Sequence, residues 1–223
     1  MSPADPAVAT DQMPPPDEPD VVDDDGYDDD PGFVRALTRH PGAYLEMLLS
    51  SVIGLIASLV LSIEAINVIK NPGARAACDL TAKISCTVVA KTWQASLLGF
   101  PNAFLGLVCE PVVITVAVAA LGGVRFPRWF MNTAQAVYSI GFLFAYWLFY
   151  EAYFHIGVLC PWCLTITVTT TLVFFSMTRV NILDRNIRTP GRVRYLVEIG
   201  VDQAIAVLLI GVLAAMVMVK YVF

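Results

Sequence analysis

Cys160-Pro161-Trp162-Cys163 and the pair Cys78 and Cys86 are the residues of this 223-residue chain whose types and spacing could do redox chemistry. Cysteines at i and i+3 on a helix can bring their sulfurs together, so Cys160 and Cys163 can cycle between dithiol and disulfide. Pro161 belongs at the first helical position, which makes Cys160 the expected N-cap. Unpaired N–H groups and the positive helix end there would stabilise its thiolate and make it a better leaving group. Cys78 and Cys86 are suited to a disulfide in an oxidising compartment, and a thiolate from one pair can attack the disulfide of the other. Two competing uses are a static staple for Cys78 and Cys86, and a zinc site closed by four cysteines. The fifth cysteine, Cys109, reads as a small buried residue.

The elements that must position these cysteines are membrane helices. The chain is 57% hydrophobic and 15% charged, with mean hydropathy +0.67, against about 25% charged residues in a soluble domain. Five apolar stretches are long enough to cross a bilayer: 44–68, 102–121, 130–150, 158–177 and 199–222. Residues 1–32 hold 11 of the 19 acids and no Lys or Arg. This Pro- and Asp-rich leader is expected to be a disordered cytoplasmic tail, and 33–223 the membrane domain. It lacks the basic and apolar segments of a cleavable signal, so the first span is expected to direct insertion. The body alone carries +14 and −8, a net +6, with nothing that points to nucleic acid.

With the N-terminus inside, Arg35, Arg39, Arg125, Arg128, Arg179, Arg185, Arg188, Arg192 and Arg194 fall on the inner side, nine in all, against Lys70, Arg75, Lys83, Lys91 and Lys220 outside. That bias favours N-in and C-out. It places four of the five cysteines on the outer face, in the connection 69–100 and the turn into Cys160. Within that connection Val88, Val89, Ala90, Trp93, Leu97 and Leu98 recur at helical spacing opposite Lys91 and Gln94. The pattern suits an amphipathic helix lying at the interface or a loop packed on the bundle. A disulfide regenerated at the bilayer surface needs a two-electron acceptor, and a quinone is the one available in hydrocarbon. Trp93, Phe100, Phe104, Tyr150, Phe154 and Trp162 could line a quinone pocket, or simply form an interfacial aromatic belt. Asn102 opens the second span after Pro101, where its amide could donate to a quinone carbonyl or cap the helix.

Taken in order, Leu61-Ser62-Ile63, the Cys78 to Cys86 spacing, Trp93, Asn102 with Gly106, and Cys160 to Cys163 resemble the vitamin K epoxide reductase family in its bacterial form, over about residues 44–180. The resemblance implies an all-α membrane protein, a four-helix transmembrane bundle around a quinone, here with a fifth transmembrane helix added. It implies a thiol:quinone oxidoreductase of the inner (plasma) membrane that reoxidises a periplasmic DsbA-like thioredoxin-fold partner, with menaquinone or ubiquinone as acceptor. By position, Cys78 would exchange with the partner, Cys86 would attack Cys160, and Cys163 would reduce the quinone. Asn102 matches the asparagine that bonds the quinone carbonyl, Thr87 a hydroxyl after the second loop cysteine, and Trp93 a tryptophan covering the pocket; Phe104 is grouped with them. Animal members follow their CxxC with Thr-Tyr, whereas Leu164 and Thr165 follow Cys163, so epoxide reduction is not implied. No thioredoxin domain follows the fourth span here, so the partner is expected to be a separate chain. Readings from other classes are a transmembrane conductor of thiol reductant and a non-catalytic scaffold with structural zinc.

Overall fold

The computed structural model describes residues 40–222 except 72 and 74; the expected disordered leader lies outside them. Its elements are α1 (Pro41–Lys70), α2 (Cys86–Ala90), a 3-10 turn (Trp93–Ser96), α3 (Ala103–Leu121), α4 (Arg128–Tyr150), a π turn (Glu151–Ile156), α5 (Pro161–Leu183), α6 (Gly191–Glu198), α7 (Val201–Val217) and a closing π turn (Met218–Val222). The fold is all-α, as expected. α1, α3, α5 and α7 with its continuation are each long and apolar enough to cross a membrane. The third expected span is α4, also 23 residues long but less apolar, because it carries Arg128, Asn132, Gln135 and several Tyr and Trp. Its Val137, Ile140 and Leu143 nevertheless face outward.

Polarity runs opposite to that of a water-soluble bundle. Leu49, Ile53, Ile56, Ile63, Val108 and Val112 are exposed, while Ser51, Ser58, Ser62, Thr167, Thr169 and Thr171 are buried. In hydrocarbon, apolar side chains gain nothing by hiding from solvent, so small and hydroxyl residues mediate close helix packing. α1 packs chiefly on α3 and α5, and α4 packs on α5. Gly106 shows how close this approach is: a Cβ there would lie 2.1 Å from Ser58 Oγ. Many of the hydroxyls bond back to their own helix, as Ser62 Oγ does to the Ser58 carbonyl at 2.7 Å and Thr171 Oγ1 to the Thr167 carbonyl at 2.7 Å.

Two boundaries differ from the sequence reading. α5 starts at Pro161 rather than 158 and runs to Leu183, because Gly157, in the left-handed region at φ +72°, ends the preceding helix and turns the chain back. The last apolar stretch is preceded by the short α6, and Arg179 ties α5 to both parts: its Nη1 donates to Val197 O at 2.8 Å and to buried Asp202 at 2.7 Å.

Candidate active site

The connection between α1 and α3 is brought to the start of α5 by backbone pairing. Ile84 and Leu159 form a parallel bridge: Ser85 N donates to Leu159 O and Leu159 N to Lys83 O, both at 3.0 Å. Cys160 follows Leu159 directly, and Cys86 lies two residues beyond Ile84 at the start of α2. Cys86 and Cys160 therefore lie side by side, with their sulfurs 3.1 Å apart, in a buried cluster with Ala76 and Cys78 against which Leu61, Val89, Trp162 and Cys163 pack. Cys86 is bonded to Cys78, with Cα atoms 5.8 Å apart, whereas Cys160 and Cys163 are free thiols.

Ser85 caps α2, accepting from Val88 N at 3.2 Å, and so starts a helix at Cys86. Asp79, which sequence reasoning passed over, holds the cysteine hairpin in shape. Its Oδ1 accepts from Ser85 Oγ at 2.7 Å and Thr87 N at 3.1 Å; its Oδ2 accepts from Thr87 Oγ1 at 2.7 Å and Ala76 N at 3.2 Å. Desolvation works against the charged form, yet these four bonds outweigh it and bring the Asp79 carboxyl down to about 2. The sequence signal was an acid followed six and eight residues later by hydroxyls between and beside the cysteines. Thr87 belongs to this clamp, since its hydroxyl also accepts from Ala76 N at 2.9 Å.

Cys160 is the N-cap of α5 with Pro161 at the first position, as the sequence predicts, and its sulfur accepts from Cys163 N at 3.4 Å. The Cys163 side chain above all, and then the N–H groups of Cys163 and Trp162, lower the Cys160 thiol against the opposing effect of burial. Cys163 is partly covered, one turn into the helix.

Around the cysteines the expected helix at 88–98 is broken into α2 and the 3-10 turn, with Lys91 and Thr92 between them. Its polarity is turned outward: Val88, Trp93, Leu97 and Leu98 are exposed while Gln94 is buried. Gln94 donates to Glu151 at 3.2 Å, which docks the turn on the π turn after α4. Trp93 lies 6.3 Å from the Trp147 ring, and Phe104 stacks on Phe100 with centroids 6.1 Å apart. Asn102 occupies the N-cap position of α3 without capping it. Its amide Nδ2 donates instead to Gln94 O at 2.6 Å, and its buried Oδ1 has no partner among the described residues. One remaining N–H and an orphan acceptor fit a small molecule carrying carbonyl or hydroxyl groups. Cys109, expected to be buried, is half-covered on α3.

The arrangement is that of a thiol–disulfide relay: a disulfide, a neighbouring nucleophile in contact with it, and a second thiol one helical turn away. Cys78, Cys86 and Cys160 are all buried, at 7%, 1% and 2% exposure, and Cys163 is only partly covered. No curated protein matches the chain. Residues 45–178, more than half of the chain, match the family described as vitamin K epoxide reductase, and this chain therefore belongs to the vitamin K epoxide reductase family, an oxidoreductase family of the membrane.

Proposed function

We propose that the chain is a quinone-dependent thiol oxidoreductase that oxidises a periplasmic DsbA-like thioredoxin-fold partner and so drives disulfide formation on the outer side of the inner membrane. The single observation that supports it most is the 3.1 Å approach of Cys160 to Cys86. A thiolate of the reduced partner attacks Cys78 and Cys86 leaves. The partner's second thiol then releases Cys78, leaving the partner oxidised and the Cys78/Cys86 pair reduced. Cys86 attacks Cys160 of the oxidised CxxC, Cys163 leaves, and Cys78 closes on Cys86 to release Cys160. Each exchange forms one S–S bond and breaks one, and the Cys86–Cys160 contact serves it in either direction.

A quinone, menaquinone or ubiquinone, supplies a two-electron, two-proton acceptor that restores the Cys160–Cys163 disulfide. Asn102 would hold it through its free N–H and orphan Oδ1, with Phe104 and Trp93 as apolar walls. The arginine bias puts the cysteine end outside and the N-terminus in the cytoplasm. The test is quinone reduction in detergent by wild type and by Cys163→Ser, each supplied with a reduced thioredoxin-like protein. Reduction by wild type and none by the variant supports the reading. No reduction by intact wild type overturns it.

A further inference from the structure

Glu110 is a carboxyl in the middle of the membrane bundle that the cysteine chemistry leaves unused. It lies on α3, by helical rise about 12 Å from Asn102 and about 16 Å from Leu121. Its side chain is 4% exposed. Tyr138 of α4 donates to Oε1 at 3.1 Å, and Oε2 has no partner among the described residues. No ion pair among the described residues includes it. An isolated carboxylate at this depth is costly, and intramembrane acids of this kind commonly mark proton pathways. α1 presents Ser51 and Gly54, α5 presents Thr169 and Thr170, and the titratable groups against the carboxyl are Tyr138 and its α3 neighbour Cys109. Tyr138 lies between Glu110, to which its hydroxyl donates, and Thr170 of α5, so the three gather exchangeable protons across α5, α4 and α3.

At the end of the bundle opposite the cysteines lies a pocket of about 490 Å³ lined by Arg128, Asn132, Gln135, Ala136, Asn186, Ile187 and Arg188. Gln135, at its inner wall, is one turn before Tyr138 on the same face of α4, and it bonds Thr178 at 3.0 Å and Asn181 at 3.1 Å. On the cysteine side of Glu110, Ser58, Ser62 and Thr167 continue as buried hydroxyls toward the CxxC.

We propose that Glu110 is a proton relay that takes protons from the far-end pocket by way of Gln135 and Tyr138 and delivers them toward the CxxC end of the bundle. The proposal rests on the quinone reading. Oxidation of the Cys160–Cys163 dithiol forms one S–S bond and gives up two electrons and two protons, and the quinone takes two of each. When Cys160 reacts as a thiolate it has already lost its proton to water on the cysteine side. One proton must then be replaced: Glu110 gives its own and recovers it from the pocket. The net effect is electron delivery from one face coupled to proton uptake from the other.

The test uses full-length protein in liposomes with a pH dye inside, a short-tailed soluble quinone, and the membrane-impermeant phosphine TCEP outside, so that only molecules with cysteines outward turn over. The expected result is alkalinisation of the lumen by about one proton per quinone reduced, while Glu110→Gln, whose cysteines TCEP still reduces, reduces quinone about a hundredfold more slowly. Gln135→Leu, which leaves Glu110 in place, should suppress the lumen signal in the same way. Without quinone, the infrared spectrum of wild type should show a protonated-carboxyl band that shifts in D2O and is lost in Glu110→Gln. Quinone reduction with an unchanged lumen pH, or wild-type rates in Glu110→Gln, overturns the relay while the quinone function stands. No quinone reduction by wild type sinks the quinone reading, and a missing or non-exchanging carboxyl band then sinks the relay independently.

Discussion

Cys86 and Cys160 are the residues on which the relay can be broken with least ambiguity. Cys86→Ala is expected to abolish oxidation of a thioredoxin-fold protein while Cys160 and Cys163 still pass electrons from a small dithiol to quinone; loss of both activities would count against a relay. Asn102→Ala removes one hydrogen-bonding side chain, a loss of about 1 kcal/mol. It should chiefly raise the apparent quinone requirement, and a change confined to partner affinity would speak against the assigned role. Asp79 has a folded-state carboxyl at about 2 against an ordinary 3.8. Its support of the hairpin is therefore complete above the ordinary value and is lost as pH falls from there through about 2. Reduction of the Cys78–Cys86 disulfide by TCEP, a phosphine that acts on disulfides in acid, should become faster only at the acid end, and Asp79→Ala should expose the disulfide at neutral pH. The pairing of Cys78 with Cys86 and the N-cap position of Cys160 were legible because residue type and local spacing carry them. Asp79 was not, since its meaning depends on where Ser85 and Thr87 fold back.

Among the elements, the turn from the π turn into α5 decides whether the two pairs meet. Gly157 sits at φ +72°, and a side chain there strains the left-handed conformation by about 1 kcal/mol. Gly157→Ala should slow exchange between the pairs, read as the rate at which reduced Cys86 appears after Cys163 is reduced, with less effect on Cys160 alone. At the other end of α5, Arg179→Ala leaves Asp202 buried without its cation, and the midpoint of unfolding in detergent should fall by the equivalent of about 3 kcal/mol. An unchanged midpoint would mean that α6 and α7 are held by apolar contact alone. The spans α1, α3 and α5 were readable from apolar length. The division of 88–98 into two pieces was not, because its outward apolar face satisfies a single-helix pattern equally well while Gln94 is drawn inward by Glu151.

For the whole molecule, the membrane reading rests on an inverted interior, with leucine and isoleucine outside and serine and threonine within. Trimming residues 1–30 is expected to leave quinone reduction intact, since the proposed topology puts the leader on the face opposite the cysteines. Inactivity of a normally inserted truncated protein would overturn that topology. Composition and apolar run length by themselves determined a helical membrane protein, because hydrocarbon tolerates few other solutions for a backbone. The ordered cysteines, Asn102 and Trp93 determined the family and its redox chemistry, because thiol exchange depends on residue type at short spacing. Only the tertiary structure decided that a two-strand bridge at Ile84 and Leu159 sets Cys86 against Cys160, and that Glu110, Tyr138 and Thr170 share the bundle centre. Those contacts join residues 28 to 75 positions apart in the chain, and no local pattern records a meeting that depends on how whole helices pack.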